Sequence, residues 1–390
     1  MSRRFLVPFG TRPEIIKLAP VVRELSAAGH DVRTVATGQH HEASMADSFF
    51  EELGLVPDEV WQLSGDAATR IGTMSSLAEK ELSDSAPDLV LVLGDTNTVP
   101  TFALAARRHQ VPVAHIEAGL RSFNETSVEE VNRRVAAACA SLHFAPTELA
   151  AAFLRQEGIA PHRIEVVGNP VIDMLVETGV VRVPPRERDG VLVTAHRATN
   201  VDDPERLSRL VDLVVLLACE LGPVRFPVHP RTRARLEAAD QIERLSSGGV
   251  IVLPPVSYRE MLSMLSSSKV VVTDSGGLQE EASYFRVPAV VLRSSTPRWE
   301  SVELSTSALV GMDVEAALEA ARRFVGSGEQ ERVASLPCPY GDGKTSKRVA
   351  RLLGEARIWE LLALREPQLS ERPAALDHVL VPRRGVGSGG

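Results

Sequence analysis

The sequence predicts an α/β protein with two doubly wound parallel sheets, and three observations support that fold class. The chain has 390 residues, which suits two domains of ordinary size. Short apolar runs rich in strand-forming residues alternate with longer stretches of helical period, the pattern of strand–helix units around a parallel sheet. The number of such runs is the number expected for two sheets rather than one.

The predicted elements follow in chain order. In the first half we predict strands at residues 5–8, 32–36, 89–93, 111–116 and 142–145, with helices that include 15–27, 68–82 and 132–140. In the second half we predict strands at residues 164–167, 190–194, 224–228, 250–253, 269–273 and 287–292. No internal repeat is evident.

The domain boundary is expected near Asn169 and Pro170, or in the Pro- and Arg-rich stretch 183–188. We predict a first Rossmann-like domain over residues 1–170 and a second, nucleotide-binding one over 171–355. The C-terminal helix is then expected to end within 356–366. Residues 367–390 are rich in Pro, Arg and Gly and are predicted to be a disordered tail. A cleft between the domains is the expected place for a ligand.

Charge and composition exclude several classes of protein. The net charge is −8 and aromatic residues are only 4%, so the chain has neither the basic surface nor the stacking surface of a nucleic-acid binder. No apolar run approaches the roughly 20 residues of a membrane span, and no signal-peptide core follows the first residues. The widely spaced Cys139, Cys219 and Cys338 are expected to be reduced, buried thiols. We expect a cytoplasmic protein with no nucleic-acid or membrane partner.

Polar residues follow the first predicted strand, and ligands of α/β sheets bind beyond the carboxyl ends of strands. The strand runs into residues 10–14, where Pro13 suits a first helical turn. Backbone N–H groups, Arg12 and Lys17 could therefore face an anion. A plain tight turn is the alternative.

Two carboxylates follow neighbouring predicted strands. Asp95 comes after strand 89–93, and Glu117 comes after strand 111–116. Such a pair is suited to proton transfer, because mutual repulsion and burial push the two pKa values apart. For Asp95 the alternative is a helix cap.

A third acidic cluster, Glu129 and Glu130, lies at the start of a predicted helix. Glu129 and Arg133 are one helical turn apart, so they could form an ion pair. A solvated helix face is the alternative.

Two histidines follow strands of the second half. His196 comes after strand 190–194 and His229 after strand 224–228. A single histidine is usually structural, but two at strand ends that face one cleft favour an acid/base or phosphate-binding role.

The strongest nucleotide signal is the segment Thr-Asp-Ser-Gly-Gly-Leu-Gln-Glu-Glu after strand 269–273. It predicts a helix capped by Ser275, where Gly276 and Gly277 let a phosphate approach the backbone. Glu280 or Glu281, one turn further on, could accept ribose hydroxyls. We expect an anionic nucleotide group at this helix.

Other cofactor motifs are absent from the sequence. The segment is not a G-x-G-x-x-G fingerprint, and residues 341–345 are not a P-loop because Cys338 occupies the required glycine position. The sequence therefore indicates neither NAD nor ATP. The Asp and His residues are too dispersed for a metal site to be assigned.

Taken together, these residues resemble the non-hydrolysing UDP-N-acetylglucosamine (UDP-GlcNAc) 2-epimerases of the GT-B fold, over roughly residues 5 to 355. The motifs are FGTRPE (9–14), TGQH (37–40), GDT (94–96), HIEAGLR (115–121), EEVNR (129–133), GNPVID (168–173), TDSGGLQEE (273–281) and PYGDG (339–343). Their order along the chain makes the resemblance specific.

The resemblance implies two Rossmann-like domains with the active site between them, a C-terminal helix that crosses back to the first domain, and a homodimer. It implies interconversion of UDP-GlcNAc and UDP-ManNAc without a cofactor, by anti elimination of UDP to a 2-acetamidoglucal and re-addition of UDP. By motif position the catalytic residues would be Asp95, Glu117, Glu129 and His196. The binding residues would be Arg12, Lys17, His229, Ser275, Gly276, Gly277, Glu281 and Arg298.

The chain departs from the family pattern in the loop that contains Pro297, Arg298 and Trp299, and has Val128 where proline usually precedes the paired glutamates. These departures motivate an alternative: a relative recruited to secondary metabolism for elimination, dehydration, hydrolysis or glycosyl transfer on another nucleotide, nucleoside or sugar. A non-catalytic regulator that binds a nucleotide sugar is a further alternative. Acidic and basic residues at all four catalytic positions argue against it.

Overall fold

A computed structural model of the chain describes residues 2–38 and 54–365. Gln39 and His40 of the second motif and the predicted tail 367–390 lie outside the described residues. No helix in the described ranges is both long enough and apolar enough to cross a membrane.

The first half of the described chain forms a parallel sheet of seven strands in the order β3-β2-β1-β4-β5-β6-β7. Its elements are β1 (Arg4–Phe9), α1 (Arg12–Ala27), β2 (Asp31–Ala36), β3 (Glu59–Val60), α2 (Ala67–Ser85), β4 (Leu89–Leu93), α3 (Thr98–Arg108), β5 (Val113–Ile116), α4 (Val128–Cys139), β6 (Leu142–Ala145), α5 (Glu148–Gln156) and β7 (Ile164–Val166). Strands β4, β5 and β6 are fully buried, as expected for parallel strands covered on both faces.

Helix α6 (Pro170–Thr178) leads to a second parallel sheet of six strands in the order β10-β9-β8-β11-β12-β13. Its elements begin with β8 (Val191–Thr194), α7 (Ala198–Val201), α8 (Pro204–Leu221), β9 (Val224–Pro227), α9 (Pro230–Ala238), α10 (Ile242–Ser247), β10 (Val250–Leu253) and α11 (Tyr258–Ser267). They continue with β11 (Val270–Thr273), α12 (Gly276–Phe285), β12 (Ala289–Val291), α13 (Trp299–Glu303), β13 (Ser307–Leu309), α14 (Val314–Val325) and α15 (Ser327–Ser335). The fold class predicted from the sequence is confirmed.

The last two described helices, α16 (Thr345–Leu353) and α17 (Ala356–Leu362), pack against the first sheet rather than the second. Val349, Leu353 and Ile358 share one apolar core with Phe5 and Leu18. This is the crossing implied by the family resemblance. The domain boundaries at residues 170 and 355 stay predictions.

The order of strands reverses at one place in each sheet. In the first sheet β1 pairs with β2 on one side and with β4 on the other. In the second sheet β8 stands in the same way between β9 and β11. Ligands of open α/β sheets bind beyond the strand ends at such reversals, so the residues after β1, β4, β8 and β11 mark the expected site.

The described structure differs from the sequence analysis in its edge strands and in the burial of the thiols. The strand predicted at 164–167 and listed with the second half of the chain is β7, the edge of the first sheet, because it pairs with β6; this agrees with a first domain that extends to residue 170. The short strands β3 and β13 were not predicted, since two or three residues carry too little pattern. Cys219 is an exposed free thiol, while Cys139 and Cys338 are only partly buried.

Candidate active site

Asp95 and Glu117 lie at the ends of two strands that pair directly, β4 and β5. Glu117 has a left-handed backbone, with φ of +64°. A side chain at Gly94 would place its Cβ 3.4 Å from Glu117 Oε2, so a glycine there leaves room for the carboxylate. Helix α3 begins three residues after Asp95 and its N-cap is Asn97, so Asp95 is not the helix cap.

The carboxylate of Glu117 is buried and held by two donors. Lys17 Nζ lies 2.5 Å from Glu117 Oε1, and Asn169 Nδ2 donates to the same oxygen at 2.6 Å. Burial alone would raise the pKa of Glu117, but Lys17 and Arg298 lower it below the ordinary value. The expected repulsion between Asp95 and Glu117 therefore does not control the pKa of Glu117, because the neighbouring cations outweigh it.

Glu280 of α12 faces the same cations from the other sheet. Its Oε1 accepts hydrogen bonds from Arg298 Nε at 3.0 Å and from Asn169 Nδ2 at 2.9 Å, and Oε2 lies 3.5 Å from Lys17 Nζ. Burial alone would lower the pKa of Lys17, but Glu117 and Glu280 raise it. Lys17, Glu117, Asn169, Glu280 and Arg298 thus form one buried polar network across the two halves, which we call the bridging network.

Glu280 is fully buried in this network. Of the two residues that the sequence offered for ribose binding, Glu281 is the one outside the network. Its Oε1 accepts a hydrogen bond from Tyr258 Oη at 2.9 Å. Burial raises the pKa of Glu281 to about 7.

Asp95 is paired with Arg133 rather than left free. Arg133 Nη2 donates to Asp95 Oδ2, and Arg133 Nη1 donates to Glu130 at 2.8 Å. Arg133 therefore pairs with Asp95 and Glu130, and not with Glu129, the partner that the sequence suggested. Glu129 is exposed and accepts a hydrogen bond from Ser127 Oγ.

The pKa of Glu129 is lowered despite partial burial. Burial alone would raise it, but the bond from Ser127 and the charges of Arg197 and Arg133 lower it below the ordinary value. Glu129 is therefore ionised at neutral pH, as Glu117 is. The fourth catalytic position predicted from the sequence is His196.

His196 and His229 lie together, as the sequence predicted. Their ring centroids are 5.5 Å apart, and His229 is the N-cap of α9. The Nδ1 atom of His196 lies 3.3 Å from Oδ1 of Asp274, a fully buried carboxylate at the end of β11. The sequence motif contained Asp274, but no role was predicted for it.

Arginines gather around Gly276 at the first turn of α12. A Cβ placed on Gly276 would lie 3.4 Å from Arg298 Nη1 and 3.8 Å from Arg293 Nη1. The pKa of Arg293 is lowered to about 10 by burial and by the positive charges of Arg197, Arg298 and Arg133. Arg293 and Arg298 beside Gly276, with Arg197 and Arg133 close enough to Arg293 to affect it, form a region suited to negative charge.

The rest of the helix start agrees with the sequence prediction. Ser275 caps α12 by accepting a hydrogen bond from the N–H of Leu278. A Cβ at Gly277 would meet no atom within 4 Å, so its backbone is open to a ligand. Binding of phosphate here stays a prediction.

The first turn of α1 binds a carboxyl group of the protein itself, that of Glu14. Glu14 Oε2 accepts hydrogen bonds from the N–H groups of Gly10 and Thr11 at 2.9 and 2.8 Å, and Oε1 accepts one from Thr96 Oγ1 at 2.8 Å. Burial raises the pKa of Glu14 to about 7. Of the two alternatives that the sequence left open here, an anion site and a plain turn, these N–H groups fit the turn, because Glu14 occupies them. Arg12 is exposed on the first turn.

The loop that departs from the family pattern joins the two halves. Trp299 Nε1 donates to the carbonyl of Arg121 at 3.0 Å, and its ring centroid lies 6.4 Å from that of Phe123. Thr147 Oγ1 donates to Glu300 nearby. The unusual Trp299 therefore has a structural role between the halves.

Several functional candidates escaped the sequence prediction. Asn169 and Asp274 stood in quoted motifs without an assigned chemical role, Glu280 was considered only for ribose binding, and Arg133 and Arg293 were not named as binding residues. Their positions in motifs could have marked them, but only the packed structure shows what each one contacts. Within residues 2–38 and 54–365, no group of His, Cys, Asp and Glu side chains has a geometry that could hold a metal ion.

Two parallel sheets that share one polar site at their strand ends define an α/β protein of the GT-B type. A model of the UDP-N-acetylglucosamine 2-epimerase family matches residues 23–354. The chain belongs to that family.

Individual relatives agree with this assignment. The UDP-GlcNAc 2-epimerase of Methanocaldococcus jannaschii is 37% identical over 88% of this chain and 97% of its own length. The UDP-2,3-diacetamido-2,3-dideoxy-D-glucuronate 2-epimerase of Pseudomonas aeruginosa is 36% identical over 90% of this chain and 99% of its own. The crystal structure of the M. jannaschii enzyme with UDP-GlcNAc and UDP has a TM-score of 0.79 at 36% identity, covering 90% of this chain and 99% of that one.

Proposed function

We propose that the chain interconverts UDP-GlcNAc and UDP-ManNAc by epimerisation at C2 of the sugar. The proposal rests on one observation: carboxylates and arginines lie in the same site between the two halves of the molecule. Ionised carboxylates follow β5 and begin α4, and Arg293 and Arg298 lie beside the first residue of α12. Proton removal beside a departing diphosphate needs both.

The proposed reaction is an anti elimination followed by re-addition. A base removes the proton at C2, the C1–O bond breaks, and UDP leaves with the bonding electrons to give 2-acetamidoglucal. UDP then re-forms the bond at C1 while a proton returns to C2 on the opposite face. The steps balance without an oxidant or a reductant.

Glu117, Glu129, Asp95 and His196 are the proposed acid/base residues. The lowered pKa values of Glu117 and Glu129 keep both ionised near neutrality, as a proton acceptor must be. Asp95 is oriented by Arg133, and His196 by its contact with Asp274.

Gly276, Gly277, Ser275 and the arginines Arg293 and Arg298 are proposed to bind the diphosphate. Helix N–H groups and guanidinium groups stabilise the charge that develops when UDP leaves. Lys17, which belongs to the bridging network, is proposed to stabilise the same negative charge. Arg12 and His229 are proposed to lie at the edge of the diphosphate site.

Glu281 is proposed to bind the ribose of UDP. Its carboxyl group is partnered by Tyr258 and is not fully buried. A carboxyl oxygen can accept hydrogen bonds from the two ribose hydroxyls, and Tyr258 fixes its orientation.

The proposal is tested by incubating the purified protein with UDP-GlcNAc and following UDP-ManNAc by proton NMR. Formation of the epimer supports the proposal. UDP-GlcNAc that stays unchanged, or free sugar released instead of the epimer, contradicts it. Glu165→Gln, at a partly exposed carboxylate paired with Arg357, is a control that should behave like the wild type.

The P. aeruginosa relative motivates a second candidate substrate, because its identity to this chain is nearly the same. Its named substrate, a diacetamido-dideoxy-glucuronate, carries a carboxylate on the sugar, and the arginine cluster has several cations. Running UDP-2,3-diacetamido-2,3-dideoxy-glucuronate in parallel decides between the two. A higher kcat/KM for UDP-GlcNAc supports the first candidate.

We further propose a cytoplasmic homodimer. Leu104 of α3 and Val131 and Val135 of α4 are exposed on helices that pack side by side, which favours an apolar contact with a second copy. Light scattering of the wild type should give the mass of a dimer, and Leu104→Lys should lower it. A monomeric wild type would contradict this part.

A further inference from the structure

Asp274 is a fully buried carboxylate whose partners all come from the turn that begins with His196. Both of its oxygens lie 3.1 Å from the backbone nitrogen of His196, and Oδ2 also accepts the N–H of Arg197 at 2.9 Å. Asn200 Nδ2 donates to Oδ2 at 3.1 Å and to the carbonyl of Leu292 at 3.1 Å. The carboxylate therefore fixes the backbone that carries His196.

The same carboxylate reaches the imidazole ring. Oδ1 of Asp274 lies 3.3 Å from Nδ1 of His196, whose side chain is 42% exposed. A carboxylate beside one ring nitrogen holds the proton there and leaves the other nitrogen free to exchange protons. At 3.3 Å the contact is electrostatic, and it favours the tautomer with the proton on Nδ1 and the lone pair on Nε2. A second titratable group, His229, lies beside the ring.

We propose that Asp274 is a positioning residue that sets the tautomer and orientation of His196 for proton transfer. The inference rests on the proposed function, in which His196 is an acid/base residue. If Asp274 only stabilised the fold, its hydrogen bonds from the backbone would be sufficient. The contact with Nδ1 adds a specific chemical consequence, because only the Nδ1–H tautomer presents Nε2 as an acceptor.

The tautomer can be measured on the wild-type protein, without any change in Asp274. Nitrogen-15 NMR of the histidine side chains distinguishes the two neutral tautomers, and His196→Gln identifies the signal of His196. We expect the Nδ1–H form. A neutral His196 that carries its proton on Nε2 would overturn the proposal, whether or not the protein is an epimerase.

The functional consequence is tested with Asp274→Asn. We expect kcat for UDP-GlcNAc to fall at least about tenfold with KM little changed. The amide oxygen should take the position that accepts from Arg197 and Asn200, which places the NH2 group beside Nδ1 and disfavours a proton on that nitrogen. Asp202→Asn is the matched control: it makes the same chemical change in the neighbouring turn, at a carboxylate that pairs with Arg231 and Arg235 instead. It should leave kcat unchanged.

A double-mutant cycle separates positioning from a general loss of structure. If Asp274 acts through His196, adding Asp274→Asn to the His196→Ala variant should not lower kcat any further. A multiplicative loss in the double variant would contradict the proposal. If Asp274→Asn does not fold, by circular dichroism, the wild-type tautomer decides the question. A wild type that does not epimerise would refute the proposed function, while the NMR result would still test the role of Asp274.

Discussion

Lys17 and Glu280 face each other across the two halves of the molecule, with 3.5 Å between Nζ and Oε2. Lys17 belongs to the first helix of the first sheet, and Glu280 to a helix of the second. Two cations and two carboxylates of the bridging network compensate each other's charge, as buried ions require. Because Glu117 is part of this network, the packing of the two halves and the ionisation of a catalytic candidate depend on the same contacts.

Glu117→Gln is expected to lower kcat for UDP-GlcNAc by about 10²–10⁴-fold, the usual loss when a general acid or base is removed. Glutamine has nearly the same shape, so the fold should persist. Steady-state kinetics and a thermal melt check both expectations. Activity near that of the control Glu165→Gln would show that Glu117 does not take part in proton transfer.

Arg293→Gln tests the arginine cluster. Loss of one guanidinium beside the leaving diphosphate should lower kcat by about 10²–10³-fold, because the transition state loses a charge-stabilising donor. The matched control is Arg322→Gln, an exposed arginine that pairs with Glu220 on the surface. An effect on KM alone would mean that Arg293 contributes only to ground-state binding.

Glu281→Ala should mainly weaken nucleotide binding. Loss of the carboxyl group removes the proposed acceptor for the ribose hydroxyls, so the Kd for UDP should rise roughly tenfold, at about 1.4 kcal/mol. Calorimetric titration with UDP measures this directly, and Tyr258→Phe should give a smaller effect in the same direction. An unchanged Kd together with a lower kcat would make the ribose assignment wrong.

Glu14 should make stability depend on pH. Burial raises its pKa from 4.5 to about 7 in the folded state, so the unfolded chain releases this proton first as the pH rises. The contribution of Glu14 to the free energy of unfolding is therefore full below about pH 4.5 and is lost as the pH passes about 7. At about 1.4 kcal/mol per pKa unit, the loss amounts to a few kcal/mol.

Urea unfolding of the wild type and of Glu14→Gln from pH 5 to pH 8 measures this contribution. Glutamine cannot ionise, so the wild type should lose stability relative to the variant as the pH rises. A difference that stays constant over this range would contradict the raised pKa.

The sequence predicted the fold class and most strands because buried parallel strands leave a strong local pattern. It also predicted that His196 and His229 lie together, since both follow strands of one sheet. It also contained the Thr-x-x-Glu capping pattern of residues 11–14, by which Glu14 takes the N–H groups of Gly10 and Thr11, although that pattern was not used. It could not predict that Asn169 donates to both Glu117 and Glu280. These contacts join residues up to 111 positions apart, and they depend on how two sheets pack, which no local pattern records.

The most direct test of the account is incubation with UDP-GlcNAc in deuterium oxide, with proton NMR of the sugar C2 position. The account predicts that UDP-ManNAc forms and that deuterium enters at C2, because the proton removed by the enzyme exchanges with solvent before re-addition. Epimer that keeps its C2 proton entirely, or no epimer at all, would contradict the proposed elimination and re-addition.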